Sequence, residues 1–163
     1  MTNNKYWKDF KIRTWQPEDR EIIADIISGV LAQYNLPWLP DSADKDAIEV
    51  EQYYFQKGGD FWVVENNQGK VVGSAAYYPI KKGHNAVEIR KMYILPEVRG
   101  KGLGRYLLQQ LEEVIKAQGY QEIWLETVTI LVEAVQLYES SGYVPATGNE
   151  TPRCDLVYYK KIS

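Results

Sequence analysis

At positions 99–105 the chain carries the sequence Arg99-Gly100-Lys101-Gly102-Leu103-Gly104-Arg105, and the segments on either side of it have different periodicities. Residues 88–94 precede it with the alternating pattern of a strand, and residues 103–115 follow it with apolar residues at helical spacing. Glycines at this junction allow a tight turn that brings several backbone N–H groups together. The first turn of the helix adds unpaired N–H donors and the positive end of its dipole. The stretch therefore predicts a loop that binds an anion, and its three cationic side chains favour a phosphate.

The composition limits the class of protein. A chain of 163 residues fits one domain, and a net charge of −3 argues against general nucleic-acid binding. One cysteine, Cys154, excludes an internal disulfide, and with a single histidine, His84, it leaves a metal site almost no ligands. There is no apolar signal segment at the N-terminus and no apolar run of about 18 residues. We therefore expect a cytoplasmic protein without metal, membrane or nucleic-acid partners.

The periodicity of the remaining chain predicts one α/β domain over residues 1–163, with residues 1–9 as a flexible N-terminal extension. The fold class is a single mixed, mostly antiparallel, twisted sheet of six to seven strands flanked by about four helices. Strand patterns occur at 10–15, 61–64, 71–77, 86–94, 122–127 and 154–161. Helical patterns occur at 17–34, roughly 43–56, 103–118 and about 131–141.

The spacing of the glycines rules out two common phosphate-binding loops. A P-loop requires a hydroxyl residue after its Gly-Lys pair, whereas Gly102 follows Lys101 here. The dinucleotide pattern Gly-x-Gly-x-x-Gly fails from Gly100, which has Arg105 at the last position, and from Gly102, which has Leu107. We therefore expect neither an ATPase nor an NAD enzyme.

The pattern that fits is Arg/Gln-x-x-Gly-x-Gly, and through it the chain resembles the GNAT superfamily of acyl-CoA-dependent N-acetyltransferases. Two further segments resemble that family in the right order. They are Ile89-Arg90-Lys91-Met92-Tyr93-Ile94-Leu95-Pro96, and Leu125-Glu126-Thr127 followed by Ala134-Val135-Gln136-Leu137-Tyr138-Glu139-Ser140-Ser141-Gly142-Tyr143. The resemblance covers nearly the whole chain. It implies an acyltransferase that uses acetyl-CoA, with two parallel strands, 86–94 and 122–127, splayed apart to admit the pantetheine arm.

The resemblance also implies how the co-substrate is held. The N–H groups of residues 99–105 bind the pyrophosphate, and the backbone of Met92 and Ile94 pairs with the pantetheine as a strand would. A bulge near Met92 or Tyr93 frees an N–H for the oxyanion of the tetrahedral intermediate. One residue departs from the family: Leu131 stands where many members carry an asparagine that contacts the pantetheine or a nearby carbonyl.

Two residues are the catalytic candidates. Tyr138 corresponds to the family's tyrosine, whose phenol protonates the departing CoA thiolate; the alternative is a tyrosine of the core. Glu88 resembles the glutamate with which several members deprotonate the attacking ammonium, and strand alternation places it on one face with Arg90 and Met92. Glu126 or an ordered water is the alternative base, and Glu88 could equally be an edge charge paired with Arg90.

We therefore expect transfer of an acetyl group from acetyl-CoA to a primary amine of a small molecule or amino-acid-like acceptor, by direct attack in a ternary complex. Aromatic and acidic residues either wall the acceptor side or simply cover the sheet: Tyr34, Trp38, Tyr53, Tyr54, Asp41 and Asp44. A protein N-terminus or lysine as acceptor is one alternative. A non-catalytic acyl-CoA sensor or interaction module is another, and a homodimer is left open.

Overall fold

The computed structural model describes residues 4–147 and 153–162. Within them the strands are β1 Lys5–Trp7, β2 Phe10–Thr14, β3 Asp60–Glu65, β4 Val71–Ile80, β5 Ala86–Ile94, β6 Glu122–Thr127, β7 Val144–Ala146 and β8 Leu156–Lys161. The α-helices are α1 Arg20–Gln33, α2 Lys45–Ile48, α3 Val50–Tyr53, α4 Leu103–Ala117 and α5 Val132–Ser140. Short 3₁₀ turns occur at Pro17–Asp19, Phe55–Lys57 and Pro96–Val98.

The eight strands form one sheet in the order β1-β2-β3-β4-β5-β6-β8-β7. Each of the strands β1 to β4 pairs antiparallel with the next one along the chain. Strand β8 pairs antiparallel with both β6 and β7, whereas β5 and β6 are parallel. The predicted mixed, mostly antiparallel sheet is thus confirmed. It has more strands than the six to seven expected because β1 and β7 are three residues long, too short for a periodic signal. Strand β1 lies within the segment expected to be a flexible extension.

The single helix expected at roughly 43–56 is divided into α2 and α3. Glu49 separates them with a non-helical backbone (φ −96°, ψ 58°). A continuous helix would use the carbonyl of Ile48 for the N–H four residues later. Here the guanidinium of Arg20 donates to that carbonyl and also forms an ion pair with Glu51 at 2.7 Å. A contact from α1 therefore replaces the helical hydrogen bond, and no local pattern could have indicated it.

The contacts between residues group the described chain into two compact units. The first contains residues up to 78 and residues 91–101, and the second contains residues 79–90 and those from 102 onward. Strand β5 contributes to both, because the boundary falls between Arg90 and Lys91. The single domain over residues 1–163 remains a prediction.

The core of the first unit includes the inward face of α1, which lies within the helical pattern predicted at 17–34. Ile23, Ile27 and Leu31 are at most 2% exposed and pack against residues of α2, α3 and β3. Tyr54 is fully buried in this cluster, and its ring meets that of Phe61 edge-on at 5.2 Å between centroids. Tyr54 therefore covers the sheet, which was one of the two roles left open for the aromatic residues.

The core of the second unit is formed by α4 and by β6. The inward side chains of α4 are Leu103, Leu107, Leu108, Leu111 and Ile115. Strand β6 alternates between buried and half-buried residues, so that Ile123, Leu125 and Thr127 face inward and Glu122, Trp124 and Glu126 lie on the opposite face. No helix among the described residues is long and apolar enough to cross a membrane.

Candidate functional site

The glycine loop has the backbone expected of an anion-binding turn. Gly100 and Gly102 both lie in the left-handed region, with φ of 77° and 88°, which side chains other than glycine rarely adopt. Gly102 is the N-cap of α4 and has no side chain to cap the helix. The first helical hydrogen bond runs from the N–H of Tyr106 to the carbonyl of Gly102, at 3.0 Å. The N–H groups before Tyr106 thus have no acceptor within the helix and are suited to bind an anion.

The charged side chains of this loop have structural contacts of their own. Arg99 donates from Nε to the carbonyl of Ile94 at 3.0 Å, and its Nη1 lies 3.4 Å from the hydroxyl of Tyr34. Its guanidinium also stacks over the Tyr34 ring at 5.9 Å. Tyr34 therefore braces Arg99, and Arg99 in turn holds the end of β5, where Ile94 was expected to bind the pantetheine.

The remaining loop residues differ in what they present. Arg105 donates from Nη2 to the hydroxyl of Ser140 at 2.9 Å, which ties the first turn of α4 to the end of α5. Leu103 is only 1% exposed, so any ligand would meet its backbone and not its side chain. Lys101 has an exposed side chain, and Gly104 lies half-buried within the first turn of α4. The loop thus offers chiefly backbone N–H groups.

The parallel ladder between β5 and β6 ends before either strand does. Its paired residues run from Ala86 with Glu122 to Ile89 with Leu125, yet β5 continues to Ile94 and β6 to Thr127. This is the pattern expected of two parallel strands that diverge.

Lys91 interrupts the backbone of β5 just beyond the last paired residue. Its φ is 52°, which is uncommon for any residue other than glycine and breaks the regular pleat of a strand. The expectation that Met92 shares a face with Glu88 and Arg90 assumed an unbroken strand, and Lys91 interrupts the strand between Arg90 and Met92. An irregularity had been expected one or two residues later, around Met92 or Tyr93.

The side chain of Lys91 belongs to a buried ionic cluster that the sequence analysis missed. Its Nζ lies 3.0 Å from Oδ1 of Asp44, 3.2 Å from Oδ1 of Asp46 and 3.1 Å from the carbonyl of Ala43. Asp44 is fully buried, so it does not wall the acceptor side as had been considered. The local sequence provides no clear signal, because β5 also carries the charged residues Glu88 and Arg90.

Three charged residues of the second unit lie on one face of β5 and β6. Glu88 is 7% exposed and 3.4 Å from Nη1 of Arg90. Glu126 is half-buried, and its carboxylate has no hydrogen bond or ion pair with any other residue of the described ranges. Burial, and then the negative charge of Glu88, raise the pKa of Glu126, although Arg90 and Lys82 oppose this. Glu126 is therefore protonated more readily than an ordinary glutamate.

Tyr138 is buried near the end of α5 in a group of three tyrosines. It is 7% exposed, and its ring lies 5.9 Å from that of Tyr143 and 6.4 Å from that of Tyr158. Tyr143 donates to Glu112 and Tyr158 to Glu139, whereas the Tyr138 hydroxyl has no such partner among the described residues. Burial raises the pKa of Tyr138 to about 12, so the phenol keeps its proton at neutral pH.

Helix α5 begins at the residue that departs from the family pattern. Leu131 is the N-cap and its side chain makes no capping hydrogen bond, whereas an asparagine at this position could cap the helix.

No group of three or more histidine, cysteine, aspartate or glutamate side chains within 4–147 and 153–162 could hold a metal ion.

Comparison with known proteins yields consistent matches. The acetyltransferase (GNAT) family model matches residues 24–143. The Escherichia coli (strain K12) protein named uncharacterized N-acetyltransferase YjgM is 37% identical over 131 residues, which are 77% of each chain.

Solved structures match the fold over nearly its whole length. A GNAT-family acetyltransferase from Staphylococcus aureus Mu50 has a TM-score of 0.86 at 20% identity and covers 94% of this chain and 99% of its own. The Salmonella typhimurium protein yncA, solved with its cofactor acetyl-CoA, has a TM-score of 0.74 at 20% identity and covers 95% of both chains.

The raised pKa of Glu126 predicts that this residue lowers the stability of the protein. A carboxylate whose pKa is higher in the folded state stabilises the fold when protonated and loses that contribution as the pH rises through its folded-state pKa. Glu126→Gln should therefore raise the Tm by about 1–3 °C at pH 7. The gain should vanish as the pH falls below the ordinary pKa of glutamate.

Thermal unfolding monitored by fluorescence between pH 4 and pH 8 provides the measurement. Glu113→Gln is the matched control, because Glu113 is exposed in the middle of α4. A Tm of Glu126→Gln equal to or below that of the wild type at pH 7 would contradict the prediction.

Proposed function

The chain belongs to the GNAT acetyltransferase family, and from this premise we propose that it transfers the acetyl group of acetyl-CoA to the primary amine of a small-molecule or amino-acid-like acceptor. The observation that carries the proposal is the loop in which Gly100 and Gly102, both in the left-handed conformation, lead into an α4 N-terminus without a side-chain cap. A pyrophosphate supplies the acceptors that these N–H groups lack.

The backbone of β5 beyond Ile89 is suited to the pantetheine arm. Here β5 has left its ladder with β6, and past the irregularity at Lys91 it continues as a strand to Ile94. An amide-bearing arm could pair with the strand through Met92 and Ile94, as a peptide adds to a sheet edge. The bond from Arg99 to the carbonyl of Ile94 supports this, because it holds the end of the strand in place while one lone pair of that oxygen stays available.

The reaction we propose is direct aminolysis of the thioester. The nitrogen lone pair of the acceptor attacks the carbonyl carbon, and the oxyanion so formed accepts a hydrogen bond from the N–H of Met92. The intermediate collapses with cleavage of the carbon–sulfur bond, which leaves an N-protonated amide and the CoA thiolate. The proton lost by the ammonium before attack goes to a carboxylate, and Tyr138 gives its phenolic proton to the sulfur. The protonated amide then loses its extra proton to solvent, and the Tyr138 phenolate regains one from solvent.

Two carboxylates are candidates to take the proton from the ammonium. Glu88 is the family-like candidate, and its carboxylate is engaged by Arg90. Glu126 has the property that a base requires, because its pKa is raised toward the working pH. A water between acceptor and carboxylate is compatible with either.

An amino-acid-like acceptor is favoured by the charges on this face. Glu88 and Glu126 suit an ammonium, and the guanidinium of Arg90 suits a carboxylate because its planar donors match two oxygens. A protein N-terminus offers the amine but no neighbouring carboxylate, so it is the second candidate.

Binding and turnover are tested together on the unmodified chain. Acetyl-CoA at 100 times its Kd should stabilise the fold by about 2.7 kcal/mol, seen as a rise in Tm. Thiol release should then occur with some members of an amine panel: amino acids, the matched decarboxylated amines, polyamines and a peptide with a free N-terminus. Stabilisation without thiol release from any of them would favour a non-catalytic sensor, and the absence of stabilisation would contradict both functions.

Replacement of Tyr138 by phenylalanine should separate catalysis from binding. Loss of the general acid should lower kcat by about 10²-fold or more, while the Kd for acetyl-CoA stays the same. Tyr143→Phe is the control: it removes a neighbouring phenol that is bonded to Glu112, so it should affect Tm but not kcat. Steady-state kinetics with calorimetric titration measure both quantities, and an unchanged kcat for Tyr138→Phe would assign Tyr138 to the core alone.

The base is identified from the pH dependence of kcat/KM. Removal of the general base should abolish the fall of the rate at low pH that reports its ionisation. If Glu88 is the base, Glu88→Gln flattens this limb and Glu126→Gln preserves it; the reverse result assigns Glu126. A limb preserved in both variants would exclude both carboxylates and leave a water.

A further inference from the structure

We propose that Lys91 is a positioning residue for acyl transfer: its ammonium group, bound by Asp44 and Asp46, fixes the backbone conformation that orients the N–H of Met92. The inference rests on the proposed function, in which this N–H binds the oxyanion. Lys91 itself touches neither substrate.

The ammonium group of Lys91 is held by three oxygens of one segment. Its Nζ donates hydrogen bonds to the carbonyl of Ala43 at 3.1 Å and to Oδ1 of Asp44 at 3.0 Å, and it forms an ion pair with Oδ1 of Asp46 at 3.2 Å. The Lys91 side chain is 3% exposed, so water does not compete for these contacts. The position of Nζ is therefore tightly defined.

The two carboxylates are themselves held by the segment that carries them. Oδ2 of Asp44 accepts a hydrogen bond from the N–H of Leu39 at 2.9 Å. Oδ2 of Asp46 accepts one from the hydroxyl of Tyr54, which is buried in the core of the first unit. The cluster is thus anchored to packed structure and can serve as a fixed point for β5.

The main chain at Lys91 is held from a second side. The hydroxyl of Ser74, on β4 and fully buried, donates to the carbonyl of Lys91 at 2.7 Å. A non-glycine residue at a φ of 52° is strained, and such a conformation persists only where the surroundings impose it. Here the aspartates hold the side chain and Ser74 holds the carbonyl, which together impose it.

The consequence for Met92 follows from the geometry of the peptide bond. The carbonyl of Lys91 and the N–H of Met92 belong to the same peptide group, which is planar and trans. In a trans peptide these two groups point in opposite directions. Because the carbonyl is directed at Ser74 of β4, the N–H of Met92 is directed away from β4.

The charges of the cluster are not explained by stability alone. Burial of three charged groups loses hydration that their mutual attraction only partly restores, and apolar side chains of the same volume often stabilise a core better. A lysine and two aspartates do, however, define one geometry, since a displacement of the ammonium group breaks its contacts with both carboxylates. This property suits a residue whose task is to hold a strained backbone.

The test reads the hydrogen bond to the substrate carbonyl directly. Difference infrared spectroscopy of bound acetyl-CoA, labelled with ¹³C at the carbonyl, should show a stretch shifted to lower frequency than that of free acetyl-CoA. In Ser74→Ala, and in the triple variant Lys91→Met/Asp44→Asn/Asp46→Asn, the stretch should return toward the free value. The triple variant keeps the side-chain volumes but leaves no unpaired buried charge, and Ser74→Ala changes one atom.

Kinetics should agree with the spectra. Loss of an oxyanion donor lowers kcat by about 10²–10³-fold, so its misorientation should lower kcat at least about tenfold. The Kd for CoA, which has no acetyl group, should change less than about threefold, since the loop is untouched. Arg13→Met is the matched control, because Arg13 also pairs with two carboxylates, Asp19 and Glu65, in the same unit. It should lower Tm but leave kcat and the carbonyl stretch as in the wild type.

Three outcomes would overturn the inference: a wild-type carbonyl stretch in the triple variant and in Ser74→Ala, an unchanged kcat in both, or an equal loss of kcat in Arg13→Met. Each of these outcomes is a comparison with a wild-type protein that binds acetyl-CoA and is active. A wild-type protein that neither binds acetyl-CoA nor releases thiol would instead overturn the proposed function, so the two failures are distinguishable.

Discussion

The planar peptide group between Lys91 and Met92 constrains β5 at the point where its chemistry changes. Up to Ile89 the strand pairs in parallel with β6, and beyond Lys91 it continues without that ladder. Because the carbonyl of Lys91 is directed at Ser74 of β4, the N–H of Met92 points away from β4. The parallel ladder therefore ends next to a backbone that departs from the regular strand and is held locally.

The glycine loop presents backbone N–H groups more than charged side chains. Arg99 and Arg105 support the loop from its two ends, the first on Ile94 and the second on Ser140. The N–H groups at the start of α4, together with the helix dipole, are therefore the groups that we propose bind the anion. An arrangement of this kind explains why the spacing of the glycines, and not the number of basic residues, distinguished this loop from other phosphate-binding loops.

The acidic face of the second unit carries a carboxylate that lowers stability. Glu126 is half-buried next to Glu88, and this raises its pKa instead of pairing it with a cation. A protein optimised for stability alone would place a neutral or well-paired group there. Burial also raises the pKa of Tyr138, so its phenol stays protonated. Its neighbours Tyr143 and Tyr158 instead donate hydrogen bonds to glutamates.

Local sequence determined the elements and the loop between them. The apolar stripes of α1 and α4, the alternation of β6 and the glycine spacing depend on neighbours within a few residues, so their patterns could be interpreted directly. The tertiary structure decided the rest. Lys91 meets Asp44 across 47 positions of sequence, Arg20 interrupts a helix from 28 positions away, and Glu126 owes its raised pKa to burial by the fold. These contacts arise only after distant segments pack together, and no local periodicity records them.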